Sequence, residues 1–220
     1  ANTTGTTNTA VGYATLKHNV EAGANTAVGD LALRQLKTST AATYNTAVGR
    51  ASQRGPNNEA QFHTGERNTS VGAGSMKVIT TGNDNTAVGY WSQYGASITG
   101  DYNTSIGSNS LKNLDSGDKN ISVGHEAGDV ITSGSNNTII GTGSDPSASS
   151  ASNQTVIGYN VTGQADNSVT LGNADVTDIY MAQDKGATVH ASGADLSGST
   201  GLILENDETI TNSTDGTVLI

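Results

Sequence analysis

Short alternations of β-branched, small and aliphatic residues recur along this chain, and each is closed by a glycine. The word NTAVG stands at residues 8 to 12, 25 to 29, 45 to 49 and 85 to 89, with NTSVG at 68 to 72, NTSIG at 103 to 107, NISVG at 120 to 124 and NTIIG at 137 to 141. The closing glycines are Gly12, Gly29, Gly49, Gly72, Gly89, Gly107, Gly124, Gly141, Gly158 and Gly172, spaced 14 to 23 residues apart. Repeats of this length predict a solenoid or stacked array.

The columns predict the rungs. A branched aliphatic precedes every glycine: Val11, Val28, Val48, Val71, Val88, Ile106, Val123, Ile140, Ile157 and Leu171. Two residues earlier stands a β-branched residue, usually threonine, and a small residue usually lies between them. This period of two predicts a short strand. The aliphatic column is expected to stack inside each coil, with the threonine methyls beside it. Gly12, Gly29, Gly49, Gly72, Gly89 and Gly107 are expected to turn the chain. Asn8, Asn25, Asn45, Asn68, Asn85 and Asn103 are expected to open the words as turn residues that tolerate left-handed geometry. A second segment follows the glycine and often carries Leu or Met at its fourth residue (Leu16, Leu33, Met76, Leu111). Each coil is therefore predicted to hold two short rungs and two corners.

These words resemble the left-handed parallel β-roll of trimeric adhesin heads of the Yersinia adhesin type, whose repeats read roughly N-S-V-A-I-G; NSVTLG at 167 to 172 is the nearest match. The longer form, NTAVGYATL with a variable loop, resembles repeats of phage tail fibres. The resemblance covers residues 1 to about 172. It implies an all-β parallel β-roll or solenoid of about 14–23 residues per coil, assembled as a homotrimer. The chain departs from adhesin heads in its longer and variable steps, which predict protruding loops.

After Gly172 the word stops. Residues 173 to 220 are expected to form a small β-rich stem or domain, with strands at 176 to 182, 186 to 191, 200 to 205 and 216 to 220 and a hairpin signal at Asp215-Gly216. In many phage fibres such a region precedes a self-removing chaperone, and the apolar ending Thr217 to Ile220 suits a strand at a processed end. The N-terminus already lies within a repeat, as in a fragment or processed product.

Composition supports sharing of a core. Leu, Ile, Val and Phe supply only 39 of 220 residues, while net charge is −10. Such a balance ordinarily reads as disorder, so a folded chain must place its few apolar residues regularly or share them with other copies. The acidic balance disfavours nucleic acid, and the ten Lys and Arg residues read as scattered, with no stripe. No apolar run is long enough to span a membrane, and there is no cysteine.

Enzyme signals are poor, and no cofactor or metal is expected. The four histidines lack metal-ligand spacing, no Gly-x-Ser-x-Gly elbow occurs, and the acidic residues lie mostly in loops. Binding is better supported. The insertion at 50 to 67 holds Arg54, Phe62 and His63, while Tyr90, Trp91 and Tyr94 cluster at one corner. Loops on rigid scaffolds and exposed aromatics favour recognition. Arg54, Phe62, His63, Trp91 and Tyr94 are therefore the candidate receptor contacts, with packing against the roll as the alternative for the rings. The expected role is the structural and receptor-binding segment of a homotrimeric phage or virus tail fibre. It would be extracellular, on the virion, contacting other fibre proteins and a host-surface glycan or protein. The alternatives are a bacterial trimeric adhesin head on the cell surface and a fibre-borne polysaccharide-degrading enzyme. Ice binding is disfavoured, because an inward threonine column would offer no flat array.

Overall fold

The structure is a computed structural model that describes residues 4–37, 43–56 and 61–181. Ten three-residue strands appear: β1 (Thr9–Val11), β2 (Thr26–Val28), β3 (Thr46–Val48), β4 (Thr69–Val71), β5 (Thr86–Val88), β6 (Thr104–Ile106), β7 (Ile121–Val123), β8 (Thr138–Ile140), β9 (Thr155–Ile157) and β10 (Val169–Leu171). They form one parallel sheet in sequence order. Each strand pairs with the next in register, so Thr26 lies against Thr46 and Val28 against Val48. A second line of parallel bridges joins Leu36 to His63, Ile79 to Ile98, Ser135 to Ser152 and Asp145 to Thr162. The described residues thus form an all-β parallel solenoid with no helix.

The interior is built in the opposite phase to the one expected. The middle residue of the strand points inward: Ala27, Ala47, Ser70, Ala87, Ser105, Ser122, Ile139 and Val156 are fully buried. The aliphatic column points outward. Val11, Val71, Ile106, Ile140, Ile157 and Leu171 are exposed, and Val28, Val48, Val88 and Val123 are half-buried. The threonine column shares that outward face. Bulk on the other sides of the coil decides the phase. Leu33, Leu36, Met76, Ile79, Ile98, Leu111, Leu114 and Ile131 fill a narrow interior, each contributing about 1.5–3 kcal/mol by burial. Only a small side chain fits opposite them. Where the second segment carries Gly128 and then Asp145 instead of Leu or Met, the middle residue grows to Ile139 and Val156. A larger middle residue thus accompanies the loss of Leu or Met from the second segment, in line with close packing.

The second segment buries Leu16, Leu33, Met76 and Leu111 as expected, but it is a run of turns and not a rung. Alternate residues take left-handed backbone, as at Leu31 and Leu33 (φ 60° and 48°) or Asn109 and Leu111 (59° and 47°). That alternation bends the chain every second residue and prevents an extended strand.

The asparagines are not the left-handed residues either. The residue before each takes that conformation: Thr7, Ala24, Tyr44, Arg67, Asp84 and Tyr102 have φ between 52° and 59°. From Asn25 onward the asparagines are buried and form a ladder. Each side-chain oxygen from Asn25 to Asn120 accepts the backbone N–H of the next asparagine, as from Asn45 at 2.9 Å for Asn25 and from Asn120 at 2.9 Å for Asn103, and that of Asn137 accepts the N–H of Gln154 at 3.0 Å. Each side-chain amide of the regular coils donates to the carbonyl of a glycine in the following coil, as Asn85 does to Gly100 at 2.8 Å and Asn103 to Gly117 at 2.8 Å. Burial without loss of hydrogen bonds is what makes a polar column tolerable inside.

The closing glycines turn the chain as expected, at φ between 127° and 144° from Gly12 to Gly158. A Cβ on Gly29 would stand 2.6 Å from the Gly49 carbonyl oxygen. The glycine therefore serves both conformation and close stacking.

The chain divides into two units, Ala1–Thr177 and Asp178–Ile220. The strand expected at 176 to 182 is absent over 176–181, where Val176, Ile179, Tyr180 and Met181 are exposed. The other expected strands and the Asp215-Gly216 hairpin lie outside the described residues.

Candidate functional site

The candidate site grows out of one column of the repeat. The fifth residue after the closing glycine is basic in five of the first six coils: Lys17, Arg34, Arg54, Lys77 and Lys112, with Tyr94 in the remaining coil. The sequence places these residues 17 to 23 positions apart; stacking brings them into one line. Backbone bonds fix the register, since Gln35 N–H donates to the Arg54 carbonyl at 3.0 Å and Gly55 N–H to that of Lys77 at 3.0 Å. The basic residues thus form a stripe, which corrects the expectation that they are scattered.

Aromatic rings sit beside this stripe. Tyr90 and Trp91 stack with centroids 4.7 Å apart and planes 17° apart. Tyr94 packs against Trp91 with centroids 5.2 Å apart and planes tilted by 43°. Lys77 Nζ donates to the Tyr94 hydroxyl at 3.0 Å and lies 5.1 Å from its ring centre, while Lys112 Nζ lies 5.6 Å from the Trp91 ring. These distances suit cation–π attraction. A cavity of about 170 Å³ opens here, walled by Arg50, Arg54, Lys77, Tyr90 and Trp91 and floored by Ala51, Ala73 and Gly74. No carboxylate lines it. Arg50 reaches Asp30 at 3.5 Å, but its side chain stays 75% exposed. The Arg54 guanidinium is held below its ordinary value, first by burial and then by the like charges of Arg34 and Arg50, with Tyr94 opposing.

Three of the five candidate contacts therefore come together: Arg54, Trp91 and Tyr94. Phe62 does not join them. It is half-buried, edge-on to His18 at 5.9 Å, with Lys37 Nζ 4.7 Å from its ring. His63 is corrected from a contact to a core residue: it has no exposed surface, and neither ring nitrogen has a hydrogen-bond partner. Burial lowers its pKa to about 3. Sequence reasoning missed Arg50, Lys77, Lys112 and Gly74. Counting from each closing glycine would have exposed the basic column; nothing in the sequence signalled the role of Gly74.

Among the described residues, no group of three His, Asp or Glu could hold a metal ion, and no helix could cross a membrane. Asp145 is half-buried, and its pKa is raised to about 6, mainly by burial, with Asp129 and Glu126 adding repulsion. No protein-family model matches the chain, and neither a curated protein nor a solved structure shows a significant match.

Proposed function

We propose that this chain is the structural and receptor-binding segment of a homotrimeric fibre, of the phage or virus tail type that its repeats resemble. In this reading it attaches to a host-surface glycan. The observation that carries the reading is the outward face of the sheet. Eight of the ten rungs present a threonine and an aliphatic side chain, and β7 and β10 present two aliphatics, in register along the sheet. An ordered apolar column of this length is unusual on a solitary soluble chain and suits contact with other copies. The groove at Arg54 and Trp91 is built from the turn segments that follow the closing glycines, outside the strands themselves. A bacterial adhesin head of the same architecture has the same support. A glycan-degrading enzyme has less, because no carboxylate lines the groove.

Native mass spectrometry tests the reading: a particle of about three times 22.2 kDa is expected, and a folded monomer overturns the shared face. A second reading has a specific observation behind it. The threonines point outward, and their ladder repeats about every 4.8 Å along a parallel sheet, a spacing close to that of surface water in ice. Thermal hysteresis with ice reshaping in a monomeric sample would favour it over the fibre.

A further inference from the structure

We infer that the groove formed by Arg50, Arg54, Lys77, Tyr90 and Trp91 binds an anionic saccharide, one acidic ring at a time. The inference rests on the attachment reading above and names its ligand class.

Three observations converge on it. First, the rings form a built platform. The Trp91 indole lies over Gly74, where an added Cβ would stand 2.6 Å from its Cδ1 atom. The same position of the two preceding coils carries Leu31 and Ala51. Gly74 thus clears the seat in which the indole extends the stack with Tyr90. An aromatic face of this kind recognises the apolar face of a sugar ring.

Second, three of the chain's ten basic residues wall one cavity, in a molecule of net charge −10. Two are arginines, whose planar forks suit a carboxylate or sulfate. Burial and the neighbouring Arg34 and Arg50 already work against the Arg54 charge, so a bound anion relieves like-charge repulsion. Third, the cavity of about 170 Å³ is smaller than the roughly 300–1,000 Å³ of sites for larger organic ligands. It fits a single ring of a polymer that continues along the stripe toward Lys112. A nucleic acid strand is disfavoured, because it would bring many phosphates against the net negative charge outside the stripe.

Isothermal titration of the full chain tests the assignment. The probes are an oligouronate, a sulfated oligosaccharide, a neutral cello-oligosaccharide and a single-stranded oligonucleotide. At least one anionic saccharide should bind ten times or more tightly than the neutral one, and the affinity should fall as salt rises. Comparing the two anionic probes separates carboxylate from sulfate as the recognised group. The double variant Arg50→Gln, Lys77→Gln should weaken that binding at least tenfold. Lys119→Gln, an exposed site outside the groove, should leave it unchanged. Native mass keeps failures apart: a wild-type trimer that binds no saccharide overturns the groove and leaves the fibre standing, while a double variant that stays trimeric shows that its lost binding is not lost assembly. Equal affinity for the neutral probe, preference for the oligonucleotide, or full binding by the double variant also overturns it.

Discussion

The side-chain oxygen of Asn85 accepts both the backbone N–H of Asn103, at 2.8 Å, and its side-chain amide, at 3.1 Å. Eighteen residues separate the two asparagines in sequence. The bond joins adjacent coils inside the solenoid, where both residues are fully buried. Replacing Asn103 by Ala would strand the Asn120 N–H and the Gly117 carbonyl that its side chain serves. Each buried unpaired group costs about 1–3 kcal/mol. Asn103→Ala should therefore lower stability by about 2–5 kcal/mol in denaturant unfolding. Asn8→Ala, at the half-exposed start of the ladder, should cost less. Equal losses at both sites would show that the ladder does not act through burial.

The phase of the strand is open to direct test. Ala47 is fully buried, and its neighbour Val48 is half-buried on the outward face. Ala47→Leu forces bulk into a filled interior and should destabilise by about 1–3 kcal/mol or more. Val48→Ala removes methyls from a partly exposed column and should cost under about 1 kcal/mol in the folding of a single chain. Thermal melting followed by circular dichroism separates them. The reverse order would restore an inward aliphatic column.

That test bears on what the sequence could reveal. Strand positions, in-register stacking and the glycine corners were legible, because Gly12 to Gly172 and the residues before them recur in fixed order. The facing of the strand was not. In Thr26-Ala27-Val28 a period of two is satisfied by either phase, and both faces are compatible with packing. The decision lay in Leu33, Leu36 and their equivalents, whose bulk left room only for Ala27. Asn25 was recognised as structural, but its partners lie in neighbouring coils, where local turn chemistry does not reach. Of the site, Trp91 and Tyr94 were legible as an aromatic cluster and Arg54 as a residue of a separate insertion; that the two meet was not. Arg50 and Lys77 were not, because their proximity arises only when coils stack. His63 was misread because adjacency to Phe62 in an insertion suggested exposure.

The closing glycines predict a contrast between two left-handed positions. Gly29 has φ 131°, a region reserved for glycine, and its Cβ would meet the Gly49 carbonyl and Arg50 nitrogen at 2.6 and 3.2 Å. Gly29→Ala should destabilise by about 3 kcal/mol or more, combining backbone strain with a clash. Lys119 has φ 57° and an exposed side chain. A non-glycine residue there costs about 1–2 kcal/mol, so Lys119→Gly should be neutral or stabilising. Urea midpoints of the two variants should move in opposite directions or leave Lys119→Gly unmoved.

Association should be separable from folding. Ile106 and Ile140 are 42% and 39% exposed on the outward face. Changing both to Glu places charge on the proposed contact without entering the interior. Burying an unpaired carboxylate between chains is strongly disfavoured. The double variant should stay folded by circular dichroism and shift toward the monomer in light scattering. A variant that keeps the wild-type mass would place the contact elsewhere.

Acid response should expose a buried and a half-buried group of opposite sign. His63 is neutral in the folded chain, with its pKa lowered to about 3 by burial, against about 6.5 when unfolded. Below pH 6.5 the unfolded chain takes up a proton that the folded one refuses. Stability from His63 is therefore fully present above about pH 6.5 and is lost as pH falls toward 3, by up to about 1.4 kcal/mol per pH unit. Asp145 runs the other way. Its pKa is raised from 3.8 to about 6, so its contribution is present below pH 3.8 and is lost as pH rises through 6. Between about pH 4 and 6 the two slopes oppose each other, with that of Asp145 weakened by its partial exposure to solvent. His63→Leu should remove the first slope and raise the melting temperature at pH 4.5 relative to wild type more than at pH 7.5. Asp145→Asn should do the reverse, stabilising at pH 7.5 and steepening the loss on acidification. Parallel melting-temperature profiles for wild type and His63→Leu would mean that His63 reaches water or a partner when it protonates.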